Sequence, residues 1–68
     1  MQLSIVTTKS TGVKWWVGHR RIFGRTEYTA DISGDVKPVW TRTLGAARRL
    51  GEDRGTIQLV GEIRVVAS

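Results

Sequence analysis

Sixty-eight residues provide for a single domain, 1–68, with one core, because a chain this short buries only about 60% of the surface its unfolded form exposes. The absence of cysteine and the single histidine exclude a disulfide framework and a structural zinc site, so packing, or packing against a second copy, must hold the fold. Eleven Lys and Arg against six Asp and Glu give a net charge of +5, which draws polyanions, and the apolar runs fall far short of the roughly 20 residues needed to span a bilayer.

Residues 2–8 mix β-branched and polar side chains, with Leu3, Ile5 and Thr7 on one face of an extended segment, and predict a strand. Lys9-Ser10-Thr11-Gly12 is a turn cluster, and residues 13–17 predict the second arm of a hairpin. Gly18 either ends that strand or bulges it. His19-Arg20-Arg21-Ile22-Phe23 then continues the strand or forms a basic loop closed by Gly24.

Residues 26–32 alternate Tyr28, Ala30 and Ile32 with Glu27, Thr29 and Asp31, the pattern of a half-buried strand. Ser33-Gly34-Asp35 predicts a turn. Residues 36–40 predict a short fourth strand at an edge, where Pro38 leaves no ladder donor missing.

From Leu44 the period changes to helical: Leu44, Ala47 and Leu50, with Ala46, form a narrow apolar stripe opposite Arg48, Arg49 and Glu52. Thr43 is the expected N-cap, and Gly51 or Gly55 can end the helix as its C′ residue, with Gly55 preferred and fraying after Gly51, which gives a helix over about 43–54. Trp40 is expected in the core beneath Leu44 and Ala47. Residues 56–66 alternate Ile57, Leu59, Gly61, Ile63 and Val65 against Gln58, Val60, Glu62, Arg64 and Val66, predicting a long last strand. The resulting expectation is an α+β fold, β-β-β-β-α-β, a mainly antiparallel sheet of four to five strands with one short helix packed on one face.

Chemistry is hard to place on this chain. His19 sits beside Arg20 and Arg21 with no acid before Glu27 to orient it, the carboxylates lack paired or metal-ligand spacing, and no serine sits in a nucleophile elbow. A non-enzymatic protein without metal or cofactor is therefore expected, cytoplasmic because no secretory leader is seen at Met1-Gln2-Leu3-Ser4.

Binding features remain. Adjacent strand residues point to opposite faces, so one of Trp15 and Trp16 belongs to the core and the other is a candidate contact. A tryptophan beside Lys14, Arg20, Arg21 and Arg25 suits a nucleic-acid platform, since the ring stacks on bases while the cations follow phosphates. The competing reading has the outer tryptophan packing under an arginine stem or at a homodimer interface. Arg48 and Arg49 form a second basic cluster, which serves either as a phosphate-contacting or as a merely solvated helix face.

The run Trp40-Thr41-Arg42-Thr43-Leu44-Gly45-Ala46-Ala47-Arg48-Arg49-Leu50 resembles a pattern in small phage-encoded β-sheet proteins, including the sheet-then-helix plan of some anti-CRISPR proteins. That resemblance implies a mobile-element accessory protein attaching to a host protein complex or to nucleic acid, although the positive charge departs from DNA-mimicking inhibitors. The chain is also similar to the three-stranded sheet of integrase arm-binding domains, which end in their helix where this chain is expected to add a strand.

Overall fold

The computed structural model describes residues 1–61. It is a small α+β domain: strands β1 (Gln2–Thr7), β2 (Lys14–Ile22) and β3 (Arg25–Thr29), helix α1 (Leu44–Arg54), and a two-residue strand β4 (Gln58–Leu59). All pairings are antiparallel, in the order β1-β2-β3, and β4 pairs with β2. The strand β2 is the common partner. One of its edges takes β1 from Lys14 to His19, and the other takes β4 at Trp15 and Trp16 and β3 from Gly18 onward.

Gly18 neither ends nor bulges β2. Its missing side chain is used for close approach, because a Cβ there would collide with Met1 Sδ and press on Thr29 Cγ2 at 3.2 Å. The basic segment 19–22 continues the strand because β3 supplies it with a partner.

Directly opposed residues share a face of the sheet. On the helix side lie Ser4, Val6, Trp15, Val17, His19 and Tyr28; on the open side lie Leu3, Ile5, Lys14, Trp16, Arg20, Arg25 and Glu27. The core is small: Trp15, Val17, Ala30 and Ala47 are buried, with Val6, Tyr28, Leu44 and Ile57 packed around them. Trp15 also satisfies its one polar atom, Nε1 donating to Thr8 Oγ1 at 3.2 Å.

The helix starts and stops where its caps dictate. Thr43, extended at φ −130°, accepts the Ala46 N–H on its hydroxyl, satisfying one of the orphan donors of the first turn. Gly55, at φ 69°, ends it, with Gly55 N–H donating to Glu52 O and Thr56 N–H to Gly51 O in a Schellman motif. Gly51 is a contact point inside the helix: a Cβ there would lie 2.5 Å from Ala30 Cβ. The buried helix positions are thus Ala47 and Gly51, with Leu50 half-buried and Ala46 exposed.

Three expected elements differ. Strand β3 stops at Thr29, because Ile32 N–H turns back to Ala30 O and Asp31 N–H donates to Thr29 Oγ1. Residues 36–40 form no strand; the chain returns to β3 only at the Tyr28–Thr41 bridge. The last strand is cut short by a turn at Val60 and Gly61, the glycine at φ 76°, and Leu59 is 42% exposed; the remainder of the expected strand, residues 62–66, lies outside the described residues. Among the described residues, no helix is long and apolar enough to cross a membrane.

Candidate functional site

The sheet register separates the two tryptophans. Trp15 is 1% exposed in the core and has no free surface for a partner, whereas Trp16 is half-buried on the open face, opposite Ile5 and Gln58. Around Trp16 the open face carries Leu3 and Ile5, 52% and 50% exposed, and a shallow groove lined by Leu3, Trp16, Ile32, Ser33 and Gln58. Lys14 stands two residues from Trp16 along β2 on the same face, and Arg20 and Arg25 extend this face toward the far end of the sheet.

Arg20 is held in place. Its Nε donates to Glu27 Oε1 at 2.9 Å across the β2–β3 pair, and its guanidinium carbon lies 4.1 Å from the centroid of the Trp40 ring. This position corrects the expectation for Trp40, which is half-buried against Arg20 and lies outside the core cluster beneath Leu44 and Ala47. The physical reason is the Tyr28–Thr41 bridge: Thr41 takes the helix-side position, so its neighbour Trp40 turns the other way.

Arg21, one residue along β2, projects to the helix side and is exposed. The other basic cluster also belongs to that side: Arg48 pairs with Glu52 at 3.1 Å one turn on, and Arg49 is exposed on the helix. The fold therefore groups Lys14, Trp16, Arg20 and Arg25, and separates them from Arg48 and Arg49.

Phe23 is a residue that sequence reasoning did not single out. It forms with Gly24 a two-residue hairpin between the paired Ile22 and Arg25, both turn residues having positive φ, 49° and 77°, as a type I′ turn demands. For a bulky L-residue this conformation costs about 1–2 kcal/mol. Phe23 is also 96% exposed, so no packing offsets that cost. The available signal was Phe-Gly exactly between two segments able to pair, but it required knowing that residues 19–22 stay in the strand.

Two polar arrangements lie away from this surface. Ser4 Oγ and His19 Nε2 share a 2.7 Å hydrogen bond across β1 and β2. Among the described residues no carboxylate forms an ion pair with His19, so the pair lacks the orienting third member of a nucleophilic triad. Asp31, 2% exposed, accepts the Val39 N–H at 2.9 Å and faces Arg54 Nε at 3.6 Å. Burial disfavours its charge, but the Thr56 hydroxyl, the Val39 N–H, the Arg54 cation and the Thr29 hydroxyl outweigh it and hold the carboxyl below its ordinary value. Asp31 thus fastens the 31–39 loop to the helix end. Among the described residues, no three His, Asp or Glu side chains gather as a metal site.

Compared with protein-family models, curated proteins and solved structures, the chain matches none.

Proposed function

We propose that the chain is a non-enzymatic nucleic-acid-binding module that works through its open sheet face and the β2–β3 hairpin. The observation that carries this reading is the grouping of Lys14, Arg20 and Arg25 with Trp16 on one face, where the neighbouring acid, Glu27, is already engaged by Arg20. Cations spaced along strands follow a phosphate backbone, and a half-exposed indole offers a surface to a base. Arg21 projects to the opposite side of the same hairpin, so it adds a fourth cation where the bound strand wraps around the β2–β3 tip.

The test is a binding assay at varied salt with single- and double-stranded DNA and RNA. Each phosphate contact releases counterions, so four engaged cations give a slope of log affinity against log salt of about −3. Replacing Arg20 and Arg21 together should flatten the slope by about two units on duplex. Absence of binding at low salt would overturn the reading.

A second reading is a mobile-element accessory protein that docks on a host protein complex, in the manner of anti-CRISPR proteins, or on a copy of itself. Leu3 and Ile5 favour it, since each leaves about half its surface in water beside Trp16. Under that reading, Leu3→Glu abolishes the interaction and salt changes it little.

A further inference from the structure

We infer that Phe23 is a base-stacking residue, carried on the β2–β3 hairpin tip to an unpaired base of a single strand. The inference rests on the nucleic-acid reading and extends it from the sheet face to a particular side chain.

Three observations converge on it. Phe23 is 96% exposed, the highest value among the exposed large apolar residues described, so it contributes almost nothing to the core. Its backbone is held at φ 49°, where asparagine or glycine would sit without strain, so the residue type is poorly matched to its own turn. The turn is nevertheless closed by paired strands, Ile22 opposite Arg25 and Arg21 opposite Thr26 immediately behind it. Because the strands behind the turn are already paired, stacking has to order the Phe23 side chain but little backbone.

Charge selects the partner. Arg21 and Arg25 bracket the turn, and Glu27 is tied to Arg20. With Arg21 on the helix side of the hairpin and Arg25 on the open side, a strand passing over the tip meets a cation on each face while the ring takes the π-face of a base. A second copy of this chain meeting tip to tip would instead bring like charges together.

The experiment uses the whole chain and an oligo-dT carrying one 2-aminopurine, whose emission responds to stacking. Wild type should change the emission on binding. Phe23→Ala should weaken binding roughly 5- to 150-fold with the salt slope unchanged, because stacking releases no counterions. Phe23→Tyr should retain binding. Phe23→Asn provides the control for folding: it should melt at a higher temperature than wild type and still bind as weakly as Phe23→Ala. If wild type binds with the expected salt slope but Phe23→Ala binds equally well, the stacking role is overturned and the sheet-face reading stands. If wild type binds no oligonucleotide, both fall. Phe23-dependent binding to anionic phosphatidylserine vesicles, with none to the oligonucleotide, would overturn the inference in favour of a lipid surface.

Discussion

The Arg20 guanidinium carbon stands 4.1 Å from the centroid of the Trp40 ring while Arg20 Nε holds Glu27 Oε1, so one cation is clamped between an indole and a carboxylate. Both contacts are partly open to water, which limits what each contributes. A double-mutant cycle on Arg20→Ala and Trp40→Ala, read by urea unfolding, should give a coupling of about 0.5–1 kcal/mol. A coupling indistinguishable from zero would show that the stack does not persist in solution.

Asp31 should make stability depend on pH in the acid range. Its folded carboxyl ionises below the unfolded value of about 3.9, so the unfolded chain takes up the proton first as pH falls. The contribution is complete above that value and is lost as pH drops through the lower folded value. Asp31→Asn should cost about 1–3 kcal/mol at pH 7, by leaving Arg54 unpaired and weakening the Val39 contact, and the gap to wild type should narrow towards pH 2. An equal gap at both pH values would contradict this account.

Two helix glycines should respond to alanine with opposite signs. At Gly45 an added Cβ meets nothing within 4 Å, so Gly45→Ala should stabilise by up to about 1 kcal/mol through helix propensity. At Gly51 the same methyl would meet Ala30 Cβ at 2.5 Å, and overpacking of about 1–3 kcal/mol should outweigh the propensity gain. Thermal unfolding of the two variants checks both signs.

The helix arginines separate a sheet-face interface from a helix-face one. Arg48 and Arg49 ride on the element that covers the other side of the sheet. Replacing both with alanine should leave affinity for nucleic acid and its salt slope nearly unchanged, while Lys14→Ala and Arg25→Ala should each flatten the slope by about one unit. The reverse pattern would move the interface to α1.

What could be read from the sequence was what local patterning governs. The first hairpin follows from alternation on both sides of Lys9-Ser10-Thr11-Gly12, and the helix ends follow from the hydroxyl of Thr43 and the left-handed preference of Gly55. What depended on a distant partner could not be read. Residues 19–21 are polar on both faces, and segment 19–22 becomes strand because β3 folds back on it. Residues 36–40 have the β-branched composition of a strand, but Asp31 accepts the Val39 N–H and no ladder forms there. For the site, the basic residues were legible as a group, but their division between faces was not: Arg20 and Arg21 differ by one position and point to opposite sides. Trp40 was misplaced because burial preference says how much of a ring is covered and nothing about which side covers it.

The central position of β2 bears on how the chain folds. Its pairings with β1 and β3 join segments that are neighbours in sequence, so both hairpins close over short loops and can form early at little entropic cost. The pairing with β4 spans some forty residues and, among the described residues, consists of Trp15–Leu59 and Trp16–Gln58, with Val60 N–H reaching Lys14 O. By loop-closure entropy it should be the last of these ladders to zip and the first to fray. Among the hydrogen-bonded sheet amides, exchange should accordingly be slowest at the middle of β2, where both edges are occupied, and faster at the β4 contact of Val60 with Lys14, so that fraying of β4 would open the groove that Gln58 lines beside Trp16 before the β1–β2–β3 ladders give way.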